Sequence, residues 1–187
     1  MPRLLVMLVV LLPGAAVAAI WHGDQNSGAL RFVAIQAGAK FSGHFGEFRV
    51  RLDFDPAKPA DGRLEVRIVT KSADTSDAER DGVLHGKDFF WVERFPEAKY
   101  EAQSFRRENG AWTAAGELTL RGVTQPVTVR FEIRPQLRQL GMKGSVTLRR
   151  LEFGIGQGEW TDTTWLGDPV DVAFDLRLQQ ENAAADP

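Results

Sequence analysis

FRVRLDF, residues 48–54, decides the fold. Phe48, Val50, Leu52 and Phe54 alternate with Arg49, Arg51 and Asp53. A period of two places one set on each face of a β-strand, whereas a helix would need apolar residues three or four apart. The same alternation recurs along the chain. Leu64, Val66 and Ile68 alternate with Glu65 and Arg67, and Leu118 and Leu120 with Glu117, Thr119 and Arg121. Val127, Val129, Phe131 and Ile133 stand against Thr128, Arg130, Glu132 and Arg134; Met142, Val146 and Leu148 follow, then Val170, Val172, Phe174, Leu176 and Leu178. Each segment reads as a strand with one apolar and one wet face.

Weaker candidates at 28–36, 38–46 and 98–107 bring the expectation to about eight or nine strands. Turn residues separate them: Asp55-Pro56, Pro59-Ala60-Asp61-Gly62, Glu108-Asn109-Gly110 and Arg121-Gly122. Gly43 and Gly46 interrupt the pattern between Phe45 and Phe48, as a bulge or sharp bend would. One-faced antiparallel strands can stack as a sandwich or close as a barrel, and the pattern alone leaves both open. The long stretches at 38–54 and 125–150 suit a strongly bent sheet that removes its own edges by closing. An outer-membrane barrel would carry its apolar face outward and show aromatic girdles at the turns. The sequence lacks such girdles, and its alternate face is rich in Arg and Glu.

The N-terminus predicts export. Arg3 precedes nine apolar residues, LLVMLVVLL; Pro13-Gly14 breaks the run, and Ala16-Val17-Ala18 supplies small residues for cleavage. A membrane-spanning helix needs about 20 apolar residues, more than this run offers. The expected organisation is therefore a cleaved signal peptide over 1–18, a single domain over 19–180, and a disordered polar tail over 181–187. A periplasmic location follows. With no cysteine in the 187 residues, neither disulfides nor thiolate metal sites nor a lipidated cysteine can form. The formal charge is −2, with basic and acidic residues interspersed, so no positive strip forms to track nucleic acid.

The one helical expectation is Ser76–His85. Thr75 or Ser76 would cap it, Asp77 and Glu79 sit near its positive end, and Gly86 ends it. Asp77 and Arg80 are spaced for a contact one turn apart. Beyond it lies Phe89-Phe90-Trp91. Three consecutive aromatics cannot all face one way, so either a loop buries them together or some cover an opening.

Thr75, Arg80-Asp81, Leu84, Asp88-Phe89-Phe90, Phe95-Pro96, the run Gly116-Glu117-Leu118-Thr119-Leu120-Arg121-Gly122-Val123-Thr124, and Arg149-Arg150 followed by Phe153-Gly154-Ile155 occur in one order over nearly the whole expected domain. In this the chain resembles the YceI-like polyisoprenoid-binding proteins. The resemblance implies an all-β fold with one short helix: an extended, lipocalin-like, eight-stranded antiparallel β-barrel with the helix at one end and an apolar cavity for a long isoprenoid or related amphiphile. Two positions depart from the family pattern. Asn26-Ser27 stands where His-Ser is usual, and Val83 where a histidine is usual, with His85 nearby. The segment 156–168, with Trp160 and Trp165, is similar to a sub-group associated with membrane b-type cytochromes. That implies a quinone as ligand and such a cytochrome as partner. A homodimer is a further assembly the sequence leaves open.

The expected ligand-contacting wall is Phe32, Phe41, Phe45, Phe48, Val66, Ile68, Leu118, Leu120, Val129 and Phe131. Leu84, Phe89, Phe90, Trp160 and Trp165 are placed at the mouth, where Asp77, Arg80 and Asp81 hold the helix or touch a head group. No catalytic residue, metal or cofactor is expected beyond the bound isoprenoid or quinone itself. His22, His44 and His85 lack metal-ligand spacing, and neither a Gly-x-Ser-x-Gly elbow nor a phosphate loop is present. An isoprenoid-modifying enzyme and a structural barrel that docks to a cytochrome are the alternatives to a carrier.

Overall fold

The structure, a computed structural model, describes residues 19–181. The segment 1–18 and residues 182–187 of the expected tail lie outside the described residues. Eleven hydrogen-bonded segments form one sheet. They group into eight strands: β1 (Ala19–Asp24 and Gly28–Gln36), β2 (Ala39–Phe45 and Phe48–Phe54), β3 (Arg63–Val69 and Ala73–Asp74), β4 (Glu97–Glu108), β5 (Ala111–Leu120), β6 (Val123–Gln136), β7 (Gln139–Arg149) and β8 (Pro169–Gln180). Each pairs antiparallel with its sequence neighbour. β8 then pairs with β1, Asp171 opposite Val33 through Leu176 opposite Gly28, and again at Trp21 opposite Gln180. The sheet is closed, which settles the choice between sandwich and barrel.

Gln179 and Gln180 belong to β8, and the Glu181 N–H donates to the Ile20 carbonyl at 2.8 Å. The interruption expected at Gly43 and Gly46 is real. β1 and β2 form one long hairpin whose two halves are offset where Gln25–Ser27 faces Gly46–Glu47. Across that offset the inward set of β2 changes from Phe41 and Phe45 to Phe48, Val50, Leu52 and Phe54. At Gly43 a Cβ would fall 2.3 Å from Cζ of Phe32, so only glycine lets that ring lie flat across the strand.

Because strand direction alternates, the two long connections, 75–96 and 150–168, emerge at the same end. The other end is filled. Phe54 meets Phe105 at 5.1 Å and Trp112 at 4.9 Å between ring centroids, and Phe105 meets Phe131 edge-on at 6.2 Å. Leu52 and Leu178 are fully buried. Outside, charges pair across strands, Arg67 to Glu97 at 3.0 Å and Lys143 to Asp175 at 3.6 Å, and along one strand, Lys99 to Glu101 at 2.8 Å. Such exposed pairs contribute little stability each, about 0–1 kcal/mol. They show which face is wet, and that face is the outer one, the reverse of an outer-membrane barrel.

The helix, α1 (Ala78–His85), is shorter than expected. Ser76 has φ of 60° and cannot join it. Asp77 is the cap, its Oδ1 accepting from the Glu79 and Arg80 N–H groups at 3.1 Å each. Thr75 is occupied otherwise: its N–H and hydroxyl donate to Oδ1 of Asp81 at 2.8 and 2.7 Å.

Candidate functional site

Between the filled end and the two connections the barrel is hollow. The void holds about 200 Å3 that admits the centre of a water-sized sphere. Engineered apolar cavities of roughly 150 Å3 stay dry and take up benzene. All eight strands and both connections contribute to this wall. Along β8 the lining runs from Val170 to Leu176. Six residues at about 3.3 Å each, tilted about 40°, span roughly 15 Å of barrel axis.

Phe32, Phe41, Phe45, Phe48, Val66, Ile68, Leu118, Leu120 and Val129 all line this tunnel, and Leu84, Phe89 and Phe90 cover it from the helical connection. Phe131 does not. It is 1% exposed, with its ring packed in the aromatic plug, and forms part of the floor below the void. Its alternation was legible; its depth was not. Trp165 is a second correction. Leu166, bridged to Gln36, lines the tunnel, whereas Trp165 belongs to the turn before it, its N–H donating to Asp162 O at 3.2 Å, and is 64% exposed. Leu166 fills the role expected of it. No composition signal favoured a leucine over the neighbouring indole.

The aromatic triplet divides as its geometry requires. Phe89 and Phe90 point inward, Phe90 against Phe45 at 6.0 Å and Phe89 against Trp160 at 5.3 Å. Trp91 turns out with φ of 47°, a costly conformation for a bulky side chain. Its ring packs edge-on against Phe95 at 5.8 Å, with the Arg94 guanidinium 4.7 Å from its centre.

Among the described residues, two polar side chains reach the wall, and both are satisfied elsewhere. The Tyr100 hydroxyl shares its one proton between the Ala114 carbonyl at 2.8 Å and the Val127 carbonyl at 3.1 Å. Burial pushes its phenol up to about 12. Arg150 is 4% exposed. Its Nε donates to Gly167 O at 2.9 Å, Nη1 to Ile155 O at 2.9 Å and Gly156 O at 3.4 Å, and Nη2 to Trp160 O at 2.7 Å and to Leu166 O. Desolvation lowers its pKa from the usual arginine value, and Asp168 opposes that. One guanidinium thus ties the whole 150–168 connection to five carbonyls, a fork geometry lysine does not have. Arg149 pairs with Asp168 at 2.9 Å, and Asp168 also takes the Leu151 N–H at 3.0 Å. The Gly156 and Gln157 N–H groups donate to Asp88 O at 2.7 and 2.9 Å, joining this connection to the helical one. Reading the sequence for ligand contacts missed this role of Arg150; two adjacent arginines at the end of an alternating strand are its trace.

A groove between α1 and the 158–166 turn forms the mouth. It is lined by Gln36, Asp77, Glu79, Arg80, Val83 and Trp160, and it meets the tunnel at Phe41, Leu84, Phe89 and Leu166, which line both. Trp160 therefore stands at the mouth. Asp77 caps α1 and pairs with Arg80 at 3.4 Å; Arg80 lies 4.7 Å over the Phe41 ring. Asp81 is turned toward Thr75 and does not line the groove, because its position one residue after Arg80 places it on the face of α1 toward β3. Val83, where the resemblance leads one to look for a histidine, is 38% exposed on the rim.

A closed antiparallel barrel around one elongated apolar void, open beside a helical lid, defines a hollow β-barrel of the kind built to enclose a small molecule. The YceI-like domain model matches residues 21–178, and the chain belongs to the YceI-like family. A UPF0312 protein of Shewanella denitrificans is 35% identical over 156 residues, covering 78% of this chain and 82% of that protein. A UPF0312 protein of Photorhabdus laumondii is 40% identical over 91 residues, about half of each chain at 49% and 47%. Among solved structures, BcnA of Burkholderia cenocepacia superposes with a TM-score of 0.80 at 28% identity, covering 83% of this chain and 98% of its own. A polyisoprenoid-binding domain from Saccharophagus degradans, implicated in plant cell wall breakdown, superposes with a TM-score of 0.67 over 88% of this chain and 99% of its own. At 13% identity that likeness concerns the fold alone.

Proposed function

We propose that this protein binds and carries one long apolar isoprenoid or quinone-like lipid, tail inward, in the exported compartment its N-terminal sequence implies, a bacterial periplasm. The observation that carries the reading is the tunnel wall: hydrocarbon from eight strands, with its two polar side chains bonded away from the void. Burying each CH2-sized group contributes about 0.8 kcal/mol. About 5–19 such groups are needed to offset an association cost of roughly 4–15 kcal/mol, which favours a long tail over a small solute. The polyisoprenoid-binding neighbour on the same fold supports this ligand class.

Among the described residues, none that lines the tunnel offers an acid, base or nucleophile free to act, so binding without chemistry is the reading favoured. Delivery to a membrane b-type cytochrome is the partner we propose. The 156–168 segment that resembles the cytochrome-associated sub-group forms one rim of the mouth, and Trp165 stands exposed on it.

Mass spectrometry of an organic extract of the purified protein tests the reading. A carrier yields about one unmodified apolar molecule per chain. A folded protein with an empty extract is a structural barrel, and a molecule returned chemically altered marks an enzyme.

A further inference from the structure

The chemistry of the mouth restricts the head group, an inference that rests on the carrier reading. Among the described residues no polar side chain lining the tunnel is free: Tyr100 and Arg150 spend their donors on backbone carbonyls. A polar head must therefore stay in the groove, since burying it unpaired would cost more than the tail it carries deeper would return. Among the described residues, the charged groups lining that groove are two carboxylates, Asp77 and Glu79, and one guanidinium, Arg80. Arg80 is already engaged by Asp77 at 3.4 Å, by the Thr75 hydroxyl at 3.5 Å and by the Phe41 ring. Glu79 makes no ion pair among the described residues. The groove thus presents net negative charge and, among the described residues, no uncommitted cation, whereas phosphate sites are built the other way, from free Arg, Lys or unpaired N–H groups. The N–H groups of Glu79 and Arg80 at the start of α1 are taken by Asp77. Gln36 and Trp160 supply neutral polar groups in the same groove.

From these contacts we infer that the mouth selects isoprenoids with an uncharged polar head, a hydroxyl or a quinone carbonyl, and rejects the same tail carrying phosphate. Like-charge juxtaposition is a recognised route to specificity, and here Glu79 supplies it.

The test is displacement of the neutral fluorophore N-phenyl-1-naphthylamine by geranylgeraniol and by geranylgeranyl diphosphate, equal in tail, at low ionic strength. Geranylgeraniol is expected to compete at least about tenfold better, the lower end of the discrimination a like-charge contact supplies. The gap should narrow at high salt, as screening demands, and narrow or reverse in Glu79→Lys. Glu132→Lys, a charge change on the outer wall of β6, should leave the ratio unchanged. Equal or stronger competition by the diphosphate overturns the inference while leaving the carrier reading standing. So does a Glu132→Lys variant that shifts the ratio as far as Glu79→Lys, since overall charge would then set it. If neither compound displaces the fluorophore, the carrier reading fails and this inference with it.

Discussion

Truncating Phe131 tests whether the tunnel ends where the aromatic plug begins. The ring is 1% exposed and lies edge-on to Phe105 at 6.2 Å, which in turn packs against Phe54. Removing a fully packed phenyl group costs its transfer free energy plus the cavity left behind, about 3–5 kcal/mol. For a domain of this size each kcal/mol lowers the midpoint by roughly 2–4 °C, so Phe131→Ala should melt about 6–20 °C lower than the wild type. Val129→Ala, two residues away, loses methyl groups that already face the void; roughly 1–2 kcal/mol is expected. The variants should also diverge in ligand response. Phe131→Ala lengthens the tunnel, so geranylgeraniol should raise its melting midpoint more, relative to farnesol, than it does in the wild type, by the usual coupling of binding to stability. Thermal denaturation followed by circular dichroism, with and without each prenol, gives both readouts. A Phe131→Ala midpoint within about 2 °C of wild type would show that the ring is not packed. An unchanged preference between the two prenols, with the expected loss of stability, would show that Phe131 is not the floor.

The outward and inward faces, the arginine tie and the buried phenol each give a separate outcome. Val129→Glu should abolish ligand retention and Arg130→Glu should preserve it, because adjacent strand residues face opposite sides; co-purified lipid measured in organic extracts decides, and equal loss in two folded variants would contradict the alternation. Arg150→Met should cost at least about 3 kcal/mol in urea denaturation by stranding carbonyls across 150–168, with faster amide exchange at Gly156 and Gln157, whereas a change below about 1 kcal/mol would mean that water replaces the guanidinium. Tyr100, the only tyrosine, ionises near 10 when unfolded and near 12 when folded, so the native state holds its proton longer. Stability should therefore fall between about pH 10 and 12, by roughly 2–3 kcal/mol in total. Tyr100→Phe should lack that component, and near-ultraviolet absorbance of the wild type should show the late titration.

Much of the fold is written in the chain as a period of two. The strands at 48–54, 118–120 and 127–133 declare themselves because Val, Phe and Leu alternate there with Arg, Glu and Thr. Gly43 and Gly46 announce the offset where the inward face of β2 changes. Weak alternation hid the first half of β1, whose Trp21-His22-Gly23-Asp24 carries no regular pattern, and its pairing with β2 and β8 supplies what the side chains do not.

Periodicity by itself determined that the chain forms one-faced strands, and composition determined that the interior would be hydrocarbon without a metal-binding thiolate. Closure, depth and direction were decided only in three dimensions. The hydrogen bonds between β8 and β1 join residues more than about a hundred positions apart, beyond the reach of any local pattern. Val129 and Phe131 occupy equivalent places in an alternating strand, yet Val129 borders the void and Phe131 fills the plug. Which inward residue meets a partner across the barrel depends on strand tilt and on what the opposite strands place there. At the mouth, Leu166 turns inward and Trp165 outward because the turn closed on Asp162 O ends where Leu166 bridges to Gln36.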